Sequence, residues 1–87
     1  MKYEVSIEKS ALRNLRKIPK IDRAKIVDSI ESLASNPRPL GSKKLSGRNG
    51  WRIRVGNYRV IYEISDHICH ILVLDLAHRK DIYRNLH

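Results

Sequence analysis

The stretch GWRIRVGNYRVIYEIS, residues 50–65, alternates apolar and polar side chains on either side of Gly56-Asn57. Successive side chains of a strand point to opposite faces, so Trp51, Ile53 and Val55 share one face and Arg52 and Arg54 share the other. A leading glycine suits a type II′ two-residue turn. The register follows from that turn. Val55 stands opposite Tyr58, Arg54 opposite Arg59, Ile53 opposite Val60, and Arg52 opposite Ile61. Trp51, Ile53, Val55, Tyr58, Val60 and Tyr62 then form an apolar face, and Arg52, Arg54 and Arg59 gather on the other. Like charges placed directly opposite one another destabilise a sheet. A fold does not require such a cluster, whereas a site for a polyanion does.

The charge of the whole chain points the same way. Its 87 residues carry 18 Lys and Arg against 9 Asp and Glu, a formal net charge of +9. From Ser32 to Tyr62 there is no acid, but seven basic residues: Arg38, Lys43, Lys44, Arg48, Arg52, Arg54 and Arg59. A clustered excess of this kind is the footprint of a nucleic acid or another acidic partner. A hydrophobic content of 41% fits one small globular domain over residues 1–87. The single Cys69 has no intramolecular disulfide partner and reads as a buried core thiol. With no signal peptide and no apolar run of membrane length, a cytoplasmic protein that uses no membrane is the default.

Outward from the hairpin, Lys2 to Glu8 alternates as a first strand. Ser10 is placed to cap a short helix carrying Leu12, Leu15 and Ile18, which Pro19 ends. A second helix is expected over Ile21 to Ser35, where Ile26, Val27, Ile30, Leu33 and Ala34 recur at helical spacing. Prolines and glycine make a loop of residues 36–42. Lys43 to Ser46 is placed to begin the next strand, Gly47 to Gly50 is turn-like, Ser65-Asp66-His67 turns, and Ile68 to Ala77 is a long apolar strand. The order is β-α-α-β-β-β. It implies an α+β fold in which a helical hairpin packs on one face of a mostly antiparallel four-stranded sheet. The arginine face is expected to remain open.

The residues favour some chemistries over others. Carboxylates and histidines are scattered without ligand spacing, so no metal site and no cofactor is expected. The aromatics fall on the core face of the hairpin rather than on an exposed RNA-binding face. Cationic catalysis on RNA remains. RNA carries its own nucleophile, the 2′-hydroxyl, and a protein cuts it by aligning that group and stabilising negative charge on the phosphate. Arginine suits the second task, being planar, permanently charged and able to bind phosphate oxygens bidentately. It is poor at moving protons, for which His78 and Tyr83 are the candidates nearby. A turn at Asp66-His67 sets Leu74 opposite Arg59 and gives His78 the same parity. On spacing alone, residues from 78 onward either approach the arginines or form a solvated tail capping the sheet.

The segment from Arg52 to Ile64, followed by His78-Arg79-Lys80-Asp81-Ile82-Tyr83-Arg84, resembles the RelE/ParE superfamily of bacterial and archaeal toxins. Asn36-Pro37-Arg38-Pro39 and Lys43-Lys44-Leu45-Ser46-Gly47 also fit it, and the resemblance spans nearly the whole chain. It implies a RelE-like toxin of a toxin–antitoxin system: a ribosome-dependent endoribonuclease, or mRNA interferase, that cuts messenger RNA in the ribosomal A site without a metal and so inhibits translation. It also implies a cognate RelB-like antitoxin, the ribosome and mRNA as partners, and operator DNA met only through the toxin–antitoxin complex. By the same resemblance Arg54 and Arg59 bind the scissile phosphate, and Arg52 holds the backbone and orients the 2′-hydroxyl. Arg79 stabilises the leaving 5′-oxygen, Tyr83 stacks on or orients a base, and His78 is an added candidate for proton transfer. Lys43, Lys44 and Arg48 extend the RNA-binding surface. Well-known RelE members carry lysines where this chain has Arg52 and Arg54. An arginine effectively never loses its proton, so electrostatic stabilisation is the role these positions keep. The ParE branch shares the fold but binds DNA gyrase. A non-enzymatic basic module that binds RNA or docks a partner is the remaining alternative.

Overall fold

A computed structural model describes residues 2–46 and 49–78. Its elements are β1 (Glu4–Ile7), α1 (Lys9–Lys17), α2 (Lys20–Ser32), β2 (Lys43–Lys44), β3 (Gly50–Val55), β4 (Tyr58–Ser65) and β5 (His70–His78). The strands form one sheet in the order β1-β5-β4-β3-β2. Only β1 and β5 run parallel. The α+β class and the two-helix layer are as expected. The sheet has five strands rather than four, because Lys43 and Lys44 pair with Arg52 and Trp51 as a two-residue edge strand.

Local chemistry sets the helix limits. Ile18, which precedes Pro19, is extended at φ −79° and ψ 138°, because a following proline crowds the helical conformation. α1 therefore stops at Lys17 and α2 starts immediately after Pro19. Ser10 lies inside α1 and does not cap it; Glu8 occupies the cap position and makes no side-chain cap bond. α2 ends at Ser32, three residues short of the expected Ser35. Leu33, Ala34 and Ser35 bond to carbonyls three residues back, the tightened turn common at helix ends.

Ala11, Leu15 and Ile18 from the first helical segment and Ile26, Ile30 and Leu33 from the second meet Ile53, Val60, Tyr62, Ile71, Val73 and Leu76 of the sheet. Fully burying a leucine, isoleucine or valine side chain contributes roughly 1.5–3 kcal/mol. The helices thus cover one face of the β3–β4 hairpin, and the arginines are left on the other.

The hairpin register is the expected one at every position. Gly56 sits at φ +60°, whereas Asn57 is not in the left-handed region. That combination is the signature of a type II′ turn. The connection from β4 to β5 is longer than expected. Residues 66–68 form a single 3-10 turn, and Cys69 follows at φ 50°. Cys69 is half-buried in this turn, its Sγ 3.7 Å from the Asp66 carbonyl oxygen, rather than a thiol of the core.

Candidate nucleic-acid interface

β2, β3 and β4 together set out a row of cations. Lys43 stands opposite Arg52, and Arg54 stands opposite Arg59. Directly opposed residues have Cβ atoms about 4.5–5.5 Å apart. Arg52 and Arg54 are two residues apart on β3, so all four side chains issue from the face turned away from Ile53 and Val60. Lys44 pairs with Trp51 and has the opposite parity.

The face is less open than expected. Arg54 is exposed and Arg52 half-buried, but Arg59 is only 2% exposed, and its neighbour Ile61 only 5%. Burying a guanidinium is costly. Arg59 is therefore an embedded charge on the same rung as the exposed Arg54, and it does not project into solution. Arg48, Arg79 and Tyr83 lie outside the described residues.

Arg38 leaves the cluster altogether. Its guanidinium donates to both carboxylate oxygens of Asp66, at 3.3 and 2.8 Å, and lies 5.2 Å from the centre of the Trp51 ring. Tyr3 donates its hydroxyl to the same carboxylate at 2.7 Å, and Tyr62 donates to the Pro37 carbonyl oxygen at 2.7 Å. The bonds from Arg38, then from Tyr3, hold the Asp66 carboxyl below its ordinary range. The bond to Asp66 raises the Tyr3 hydroxyl in turn, and burial raises that of Tyr62. This latch fixes the stem of the loop over residues 36–42, which ends at Lys43. No sequence signal marks it, since Arg38 and Asp66 are 28 residues apart.

The structure does not bring His78 to the arginines. The four-residue connection over 66–69 moves the β4–β5 register by two places and preserves parity. A β-bulge then follows: Ile61 pairs with Asp75 and Tyr62 with Val73, so Leu74 is the additional residue. One extra residue inverts every side chain beyond it. Ala77, not Leu74, stands opposite Arg59, and His78 pairs with Tyr58 on the helix side of the sheet. The two rings meet edge to face, 5.6 Å apart at 79°. They share a cavity with Asn14 and Lys17 of α1. His70, by contrast, is half-buried at the other end of β5, with Nε2 3.0 Å from the Ser6 hydroxyl.

The family model for the ParE toxin of the parDE type II toxin–antitoxin system matches residues 5–83. The chain belongs to the RelE/ParE toxin superfamily. Toxin RelG of Mycobacterium tuberculosis is 33% identical over 88 residues, covering 97% of this chain and 99% of its own. The archaeal RelE–RelB complex of Pyrococcus horikoshii matches with a TM-score of 0.82 at 30% identity, over 91% of this chain and 97% of the other. The RelB–RelE complex of Methanococcus jannaschii matches with a TM-score of 0.74 at 31% identity, over 93% and 98%. This RelE-like toxin of a type II toxin–antitoxin system therefore carries its cation row on the hairpin where the family resemblance lies. Among the described residues no helix is long and apolar enough to cross a membrane.

Proposed function

We propose that this toxin is an endoribonuclease that cuts messenger RNA in the ribosomal A site. The observation that carries the reading is the opposition of Arg54 and Arg59 beside Arg52 and Lys43 on one face of the sheet. A scissile phosphate seated on the exposed Arg54 lies across the same rung from the buried charge of Arg59. As the 2′-oxygen attacks, a bond forms to phosphorus and the bond to the 5′-oxygen breaks, leaving a 2′,3′-cyclic phosphate. The pentavalent phosphorane carries more negative charge than the substrate. Fixed cations stabilise that extra charge without having to reorganise. Arg52 steers the backbone and aligns the 2′-hydroxyl, and Lys43 holds a neighbouring phosphate. Arg48 would extend the RNA track, whereas Lys44 leaves from the Trp51 face. By resemblance Arg79 would stabilise the leaving oxygen and Tyr83 would orient a base. His78 lies across the sheet from this row, so the 2′-hydroxyl proton would pass to a non-bridging phosphate oxygen or water, and the departing 5′-oxygen would take a proton from Tyr83 or water.

A RelB-like antitoxin is the proposed partner, since related RelE chains are solved as complexes with RelB. A +9 toxin favours an acidic chain that orders on binding. The second reading is a ParE-type toxin acting on gyrase, favoured by the ParE description of the matching family model. Primer extension on programmed ribosomes with a defined A-site codon separates the two. Cuts inside that codon, absent with free message and with Arg54→Ala, are expected. A folded wild-type toxin that makes no cuts but inhibits supercoiling would transfer the assignment to the ParE branch.

A further inference from the structure

β2 is so short that it covers β3 only at Trp51 and Arg52. Among the described residues no strand pairs with the outer edge of β3 beyond Arg52, and a sheet edge of this kind presents main-chain N–H and C=O groups. A cavity of about 490 Å³ opens in this gap, a size within the range of small-ligand sites. Ser29 and Ser32 of α2 form one wall, Ile53 lines the cavity from the sheet, and Leu40 forms part of the rim. Lys43, Arg52 and Arg54 of the cation row also belong to its lining, and among the described residues no acidic one does.

The lining has two demands. Its charge calls for an anion, and its apolar surfaces call for a flat or hydrophobic body. A phosphate alone meets the first, and an uncharged hydrophobe meets only the second. A nucleobase joined to its backbone phosphate meets both, with the phosphate on the arginines and the base between Ile53 and Leu40. Leu40 is fully exposed, at 106% of the reference area, although the latch anchors the loop that carries it. Ser42 also bonds back to the Pro39 carbonyl oxygen at 2.9 Å, closing the loop beneath Leu40. A fully exposed leucine on an anchored loop is ready to gain apolar contact without reorganisation. The hydroxyl of Ser32 donates to the Asp28 carbonyl oxygen at 2.9 Å. Its proton is committed and its lone pairs remain as acceptors.

We propose that this cavity is a nucleobase subsite, which takes one base of the single-stranded RNA whose phosphate the arginines hold and favours a base with an exocyclic amino group over uracil. The proposal rests on the RNA-cleaving reading above and deepens it from a charge site to a base-selective one.

Binding of short 2′-O-methyl RNA to the full chain, followed by fluorescence anisotropy, tests the subsite without any cleavage. A single abasic residue is moved along the oligonucleotide one position at a time. Affinity is expected to fall about tenfold at one position and little elsewhere, the scale of one base contact. At that position uridine should bind several-fold more weakly than adenosine, and Ser32→Ala should reduce the difference. Leu40→Ala, at a fully exposed position that the fold does not use, should weaken the intact oligonucleotide several-fold and leave the abasic one unchanged. Indifference to the abasic residue at every position would overturn the subsite, as would a Leu40→Ala loss equal for both oligonucleotides. Ribosomal cleavage together with such indifference would overturn the subsite alone. Base-dependent binding without ribosomal cleavage would uphold the cavity and remove the nuclease.

Discussion

Arg54 and Arg59 share one rung of the hairpin but differ in what surrounds them. Arg54 is exposed, and substitutions at exposed positions usually change stability by no more than about 0.5 kcal/mol. Arg59 is 2% exposed, and its removal leaves a void beside Ile61. Arg54→Ala should therefore reduce single-turnover cleavage on the order of 100-fold with an almost unchanged melting temperature. Arg59→Ala should lose cleavage and melt at a lower temperature. Thermal melts run beside the cleavage assay decide it. An Arg54→Ala toxin that cuts at the wild-type rate would remove the phosphate from Arg54. Both arginines and their opposition were legible from the period-two pattern and the turn. The burial of Arg59 was not, because residue type does not say what covers a face.

At the scale of elements, the latch ties the loop after α2 to β3, β4 and the turn before β5. Its carboxylate, Asp66, is held below its ordinary range by Arg38 and then Tyr3. The ionised form therefore binds better in the folded state than in the unfolded chain. The resulting stability is fully present above about pH 4, the ordinary aspartate value, and is lost as pH falls through the lower folded value. Asp66→Asn should melt below wild type at pH 7, and the two curves should converge under more acid conditions, measured by circular dichroism. A gap that persists unchanged at pH 2 would show that the aspartate acts through shape and not charge. The bulge at Leu74 is the other element-scale feature. Local propensity would have continued β5 without interruption, and a single inserted residue moved His78 to the α1 side.

At the scale of the molecule, two helices and one sheet face share a single apolar layer, and the cation row occupies the reverse. The side chains that hold the two layers together and the exposed cations therefore lie on different faces of the hairpin. Ile71→Ala, at a fully buried position in β5, should cost about 2–5 kcal/mol in urea unfolding. Ile21→Ala, at a side chain 74% exposed on α2, should change it by no more than about 0.5 kcal/mol. Equal losses at the two positions would mean that α2 packs by a different face.

The sequence by itself determined the hairpin, its register, the apolar face and the alignment of Arg54 with Arg59. These depend on neighbours along the chain: a two-residue period, a glycine that accepts positive φ, and a proline that stops a helix. The tertiary structure alone decided the burial of Arg59, the Arg38–Asp66 latch, the side on which His78 lies and the cavity beyond the short β2. Each of these depends on how segments distant in the chain pack together, and on where a strand ends or takes in an extra residue, which nearest-neighbour chemistry does not encode.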